Sequence, residues 1–288
     1  MPSSEGPDPH PHVPKYIVPP SACDAHCHVF GPAATFPYAP SRAYTPPDAP
    51  RERLAALHEV LRIERAVIVQ ASCHGTDNRA MLDAIAHSGG RYRGVAIVDE
   101  SFEDADFVTL HEGGIRGVRF NFVKHLGGMP DIKMVHDVIR RVTPLGWHLV
   151  VHLDAVDIVE LSGVLRSLPL PFVIDHMGRV KASAGVGQVP FRALLDLLRV
   201  ENCWVKVCGS ERVSATGPPF HDAVPFARAL VEAAPDRVLW GTDWPHPNVG
   251  RFMPNDGDLV DLVPLIAPDD ASRQKLLVEN PARLYGWQ

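Results

Sequence analysis

The sequence predicts a single (β/α)8 barrel with its site at the C-terminal ends of the strands. Three observations predict it. Eight short β-branched runs recur along the 288 residues, amphipathic helical patterns alternate with them, and polar residues gather where the runs end. An open doubly wound sheet is the competing arrangement. It is weakened because no Gly-x-Gly-x-x-Gly follows an early strand and no Gly-Lys-Ser/Thr phosphate loop occurs. Residues 1–20 read as a Pro-rich tail, flexible or draped on the surface, and residues 21–288 as the barrel.

The strands are expected at residues 22–28, 66–72, 92–98, 115–122, 148–153, 172–176, 203–208 and 238–242. Several are nearly continuous apolar runs, as strands covered on both faces should be. Helices are expected between them. Residues 51–62 place Leu54, Leu57 and Leu61 on one face, and Asp77 suits the cap of a helix carrying Met81, Leu82 and Ile85. Residues 131–142 repeat apolar side chains at Val135, Val138, Ile139 and Val142. Pro190 suits the first turn of a helix over 191–200, Pro225 sets the start of one within 222–234, and residues 271–278 form the last.

Composition narrows the function classes. Hydrophobic residues make up 45% and charged residues 22%, an ordinary globular balance, and the net charge of -6 argues against nucleic acid as the main partner. No apolar run reaches the roughly 18 residues of a membrane span, and the first 20 residues lack the apolar core of a secretory signal. Five cysteines in no framework spacing fit reduced thiols, so a cytoplasmic location is expected.

The strand ends carry the chemistry. His26 and His28 are two residues apart on strand one and share a face. Alone, such a pair is as easily a satisfied core feature as a site. Here it is joined by His152 ending strand five, His176 ending strand six and His246 after strand eight, more buried polar groups than a core tolerates without a purpose. Neutral imidazoles with one carboxylate, Asp243, suit a divalent ion such as zinc, which would acidify bound water toward about pKa 7. Asp243 is placed to take a proton from that water and to hold the ion. Arg119 and Arg212 supply fixed positive charge suited to a carboxylate or sulfonate.

Other residues take blander readings. His58, His87, His111, His136 and His221 fall on helices and are expected to face solvent. Trp147 and Trp204 are expected in the core, Trp244 stands at even odds as a pocket wall, and no paired base marks Cys73 or Cys208 as a nucleophile.

His26-x-His28, His152, His176 and Asp243 at these strand ends resemble the amidohydrolase superfamily, and the closing Glu279-Asn280-Pro281-Ala282-Arg283-Leu284-Tyr285-Gly286 resembles its metal-dependent-hydrolase branch. The stretches Cys23 to Pro32, Tyr44-Thr45-Pro46, Gly117 to Phe122 and Gly241 to His246 are similar to the 2-pyrone-4,6-dicarboxylate lactonases and 4-sulfomuconolactone hydrolases. That resemblance implies hydrolysis of a small polyanionic lactone in bacterial breakdown of aromatic compounds. It implies Asp243 as general base, His26, His28 and His176 as carbonyl-polarising groups, and Tyr44, Arg119 and Arg212 as holders of the substrate's acidic groups. Ser72, His74, Thr76, His125 and His246 are further candidate substrate contacts.

Two positions depart from the pyrone-lactonase pattern: His152 stands where that pattern has a Tyr, and His125 where it has an Arg. His152 completes a metal set of His26, His28, His152 and Asp243, which shifts weight toward the sulfomuconolactone type with one zinc or manganese ion. A chain behaving as the pyrone lactonases would need no metal. The alternative within the superfamily is a metal-dependent non-oxidative decarboxylase of an aromatic or muconate-type acid, which uses a similar constellation. A non-enzymatic barrel would lack a ligand or a base, and none is missing. Monomer and homodimer both stay open.

Overall fold

The computed structural model describes residues 5–123, 130–249 and 251–287. Eight strands form one sheet in chain order: β1 (Cys23–Cys27), β2 (Arg65–Val69), β3 (Tyr92–Ala96), β4 (Ile115–Asn121), β5 (His148–His152), β6 (Phe172–Ile174), β7 (Cys203–Lys206) and β8 (Val238–Leu239). Each pairs with the next in parallel. The ring returns on itself where the Ala25 amide donates to the Trp240 carbonyl at 2.8 Å, and the Asp243 amide to His26 and the His28 amide to Trp244 at 2.7 Å each. This is the expected (β/α)8 barrel. All eight strands lie where the β-branched runs place them. Five expected strands overrun the observed C-terminal ends by two or more residues, because the chain there leaves the ladder before the apolar or polar run that marks it is finished.

The helices α1 (Arg51–Leu61), α2 (Arg79–Ala86), α3 (Asp104–Glu112), α4 (Ile132–Val142), α5 (Ala155–Arg166), α6 (Val189–Leu197), α7 (Ser210–Val213) and α8 (Val224–Ala233) pack outside. Asp131 caps α4 by accepting from the Lys133 amide at 2.9 Å. The cap of α2 is Asn78 rather than Asp77, although Asp77 still accepts from the Arg79 amide. Sequence periodicity misses α3 and α5. Helix α3 buries only Phe107 and Leu110, and α5 buries Ile158 and Leu165 while Val156, Val159 and Val164 stay exposed, so neither writes a clear apolar stripe.

Asp24 staples the closure. Its carboxylate accepts from the amides of His26 and Thr242 and from the Thr242 hydroxyl at 2.5 Å. His58 stands 3.4 Å from the same carboxylate and 2.9 Å from the Tyr92 hydroxyl. It is therefore buried, which corrects the expectation that it faces water; the helical pattern hides a polar partner supplied by the barrel wall.

The C-terminal segment seals the barrel floor. Asn280 donates to the carbonyls of Pro235 and Val238 at 2.9 Å each, and Tyr285 packs with Cys23, Val67 and Trp204. The described part of the N-terminal tail lies along α9 (Asp256–Asp261), with the His12 amide donating to Asn255 and the Tyr16 amide to Asp261. Trp147 and Trp204 are buried, and Trp244 packs in the core rather than on the cleft. Among the described residues, no helix is long and apolar enough to cross a membrane.

Closure depends on the bare backbone of Gly241. A Cβ there would stand 2.6 Å from the His26 nitrogen and 2.8 Å from its Cβ. Gly241→Ala is expected to destabilise the fold by about 1–3 kcal/mol, seen as a lower denaturant midpoint at unchanged slope. A wild-type midpoint would show that the β8–β1 seam has slack.

Candidate active site

Asp243 is the centre of the site. It follows β8 with φ 67°, in the left-handed region, and its side chain is only 1% exposed. Arg212, from α7, donates to Oδ2 through Nε at 2.6 Å and Nη2 at 2.6 Å, and to the Pro247 carbonyl at 2.8 Å. Oδ1 faces the Nε2 atoms of His28 at 3.3 Å and His26 at 3.5 Å. Burial opposes the charge of Asp243, but Arg212 and the surrounding imidazoles outweigh it and hold the carboxyl well below its usual range. His176 (φ 50°), Arg179 (φ 52°) and Asn248 (φ 58°) share the left-handed region and also line the cleft, so backbone strain concentrates there.

The imidazoles are fixed by what their other nitrogens meet. His28 Nδ1 is 2.8 Å from the Val69 carbonyl, an acceptor only, so that nitrogen carries the proton and the ring presents Nε2 to Asp243. His26 Nδ1 lies 3.2 Å from Asp175 and 3.1 Å from Lys206 Nζ, and burial, then Lys206, pull its pKa down to about 4. His152 Nδ1 is 3.1 Å from Asn121 Oδ1, and its buried Nε2 has no hydrogen-bond partner. Burial also keeps His152 and His176 neutral, both well below the ordinary histidine value.

Beneath this layer sits a second buried charge. Asp175 meets His26, Lys206 Nζ at 3.4 Å and Arg119 Nη2 at 3.3 Å. Lys206 on β7 has no exposed side chain surface. Neither Asp175 nor Lys206 is expected as a site residue from the sequence. The signal was present, since a lysine inside a core strand needs a partner.

The cleft is narrow and is lined by His28, Tyr44, Ser72, His152, His176 and Asp243 together with three arginines, Arg119, Arg179 and Arg212. Arg179 was missed because it follows β6 in a turn without periodicity; Asp154 holds it at the rim at 2.8 Å. Several expected contacts are elsewhere. His74 is no substrate contact: Nε2 accepts from the Gly31 amide at 3.1 Å and Nδ1 meets the Pro37 carbonyl at 3.2 Å, so both nitrogens are used. His246 is fully buried outside the cleft, 3.1 Å from Asp256 and 4.0 Å from Glu211. Burial works against its charged form, but Asp256 outweighs it and raises the pKa. Thr76 does not line the cleft, and His125 lies outside the described residues. Arg212 binds the Asp243 carboxylate through Nε and Nη2.

Cys208 does have a base beside it, contrary to expectation: its Sγ is 3.2 Å from His176 Nδ1. Burial and the nearby carboxylates push this thiol far up, so it is a protonated thiol and not a nucleophile.

One donor atom each from His26, His28 and Asp243 lies within 4.8 Å of the others. His26 Nε2 has no hydrogen-bond partner, and His28 Nε2 faces a carboxylate oxygen, a gap that a proton or a cation would fill. These three residues fit a divalent ion. His152 does not join that cluster among the described residues, which corrects the four-residue set. It sits beside His176 instead, with ring centroids 5.3 Å apart.

Comparison with known proteins agrees with this geometry. The amidohydrolase family model matches residues 23–287. The chain is 50% identical to a 2-pyrone-4,6-dicarboxylate hydrolase of Comamonas testosteroni, over 96% of this chain and 93% of that protein. It is 42% identical to a 4-sulfomuconolactone hydrolase of Rhizobium radiobacter, over 99% and 97% respectively. A crystal structure of a probable 2-pyrone-4,6-dicarboxylic acid hydrolase from Acinetobacter baumannii, with citric acid bound, superposes with a TM-score of 0.82 at 29% identity, over 92% of this chain and 99% of that one.

Neutral buried histidines give the fold an acid-labile signature. The unfolded chain takes up protons at the ordinary histidine value of 6.5, while His26 resists until about 4. The contribution of these neutral histidines is therefore expected to be full above 6.5 and to fall as pH drops from there toward 4, whereas His246, with its raised pKa, contributes in the opposite sense. Asp175 and Asp243, held below 3.8, contribute their own loss only under that window. Tm measured against pH checks this, and a Tm flat from 6.5 to 4 would contradict neutral buried imidazoles.

Proposed function

Because the chain belongs to the amidohydrolase family, we propose that it opens a small polyanionic lactone by water attack on the ring ester. One observation carries the reading: a buried carboxylate, Asp243, ringed by imidazoles at the bottom of a cleft with three arginines on its walls. The arginines suit a substrate bearing acidic groups, and the neutral imidazoles suit a carbonyl that develops negative charge. The two relatives named above act on lactones of this kind, and the citric acid in the Acinetobacter structure is itself a polycarboxylate.

The residues divide the work as follows. Arg119, Arg179 and Nη1 of Arg212 bind the acidic groups, with Tyr44 and Ser72 as further lining contacts. Water attacks the carbonyl carbon, and Asp243 takes its proton at Oδ1, the oxygen not held by Arg212. His26, His28 and His176 stabilise the oxyanion. The ring C–O bond then breaks, and Asp243 returns the proton to the departing oxygen. A divalent ion held by His26, His28 and Asp243, zinc or manganese, would add positive charge at the carbonyl and acidify water when bound. For a sulfomuconolactone, sulfite would leave after ring opening and give maleylacetate.

Between the two lactones, Arg179 moves the balance back toward 2-pyrone-4,6-dicarboxylate. It supplies the third guanidinium that His125 seemed to remove, and the higher identity to the pyrone hydrolase points the same way. The test is turnover of both lactones by the purified protein. Asp243→Asn is expected to lose about 10³-fold or more in kcat and to lower Tm, because it leaves the Arg212 guanidinium uncompensated; near-normal turnover in the folded variant would remove Asp243 from the mechanism. Metal content and activity after chelation form the second measurement. About one ion per chain, with activity lost on chelation and restored on reloading, is the expected result for a chain that uses the His26–His28–Asp243 donors. Full activity in metal-free protein would instead assign those donors to hydrogen bonding alone.

A further inference from the structure

His176 faces the cleft from the turn after β6, and its role as an oxyanion donor requires a proton on Nε2. What sets that proton is the contact of its other nitrogen. Cys208, two residues beyond β7 on the adjacent strand, places Sγ 3.2 Å from Nδ1. Gly209 completes the enclosure: a Cβ there would stand 3.0 Å from the same nitrogen, and its φ of +74° turns the chain into α7. Asp243 Oδ2, which only accepts, lies farther off at 4.0 Å. At the sulfur contact the shared proton sits either on Sγ or on Nδ1, and the two choices demand opposite tautomers.

We propose that Cys208 is a positioning residue: its thiol donates to Nδ1 of His176 and fixes the ring as the Nε2–H tautomer, which meets the lactone carbonyl as a donor. The catalytic half of this statement rests on the lactone-hydrolase reading; the tautomer does not. A sulfur this deeply buried, only 2% exposed and close to Asp243 and Asp175, stays a thiol, so it has a proton to give. Take the thiol away and Nδ1 loses its donor, while the Asp243 carboxylate remains 4.0 Å away as an acceptor. The proton then moves to Nδ1, and the ring turns a lone pair toward a carbonyl oxygen. No bond is made or broken at sulfur, and the proton it shares stays with it.

The experiment reads the tautomer directly, by two-bond 1H–15N correlation on protein labelled at histidine nitrogen, with His176→Gln to assign the signal. Wild type is expected to show Nε2–H. Cys208→Ala is expected to shift to Nδ1–H and to lose about 10-fold or more in kcat, with KM within about twofold. Cys208→Ser, which keeps a donor, is expected to retain the wild-type tautomer and kcat within about threefold. A wild-type ring protonated at Nδ1, or an Nε2–H pattern that survives in Cys208→Ala, overturns the proposal. Should the alanine variant not fold, the wild-type and serine spectra still decide. If wild type turns over neither lactone, the functional reading fails while the spectra still test Cys208.

Discussion

A carboxylate buried at the mouth of a barrel has to be compensated, and most of the site follows from how Asp243 is compensated. Its pairing with Arg212 neutralises the charge but also commits most of that guanidinium, so Arg119 and Arg179 are the lining cations not spent on Asp243. The pairing splits the two oxygens into different tasks. Oδ2 is saturated by Arg212, and Oδ1 is left to the imidazoles. A base held this far below its usual range is a weak one, so the reaction cannot rest on proton abstraction alone; it needs strong polarisation of the carbonyl at the same moment. The dense array of donors around the carbonyl position answers that need.

Asp175 repeats the arrangement one layer down. It joins β6 to β1, β4 and β7 through His26, Arg119 and Lys206. Breaking one member would leave uncompensated charge in a core, which makes this network far costlier to disturb than an exposed ion pair. It also ties the two functions of the site together. Arg119 reaches the cleft from the same carboxylate that supports His26, so under the proposed reaction the cation for an acidic substituent and an imidazole beside Asp243 would share one anchor.

Much of this is legible in the sequence. The strands are found because a β-strand covered on both faces must be apolar, and the site because polar residues ending such strands are otherwise expensive. What fails to show is whatever depends on a partner from another element. His74 and His246 look like site histidines by position, yet the Gly31 amide and Pro37 carbonyl claim one and Asp256 the other. Arg179 lies in a turn whose left-handed backbone no pattern announces. Lys206 sits in a run that reads as a strand core. Cys208 looks unpaired because its base comes from the neighbouring strand. Helices α3 and α5 escape because their buried faces are only two side chains each.

The placement of charge also orders the site in space. The guanidinium groups come from β4 and from the turns after β6 and β7, whereas Tyr44, Ser72 and the His26–His28 pair come from β1, β2 and the segments after them. His152 and His176, from β5 and the turn after β6, stand among those arginines, so charged and neutral groups are interleaved around the cleft rather than segregated. The field of Arg119 also reaches the Tyr44 hydroxyl, which carries positive potential to the β1 side. The negative charge of Asp243 is thus met from every side of the cleft, by Arg212 at Oδ2 and by imidazoles at Oδ1, and any substitution that removes a lining cation would alter the field on that carboxylate as well as the cleft's affinity for acidic groups.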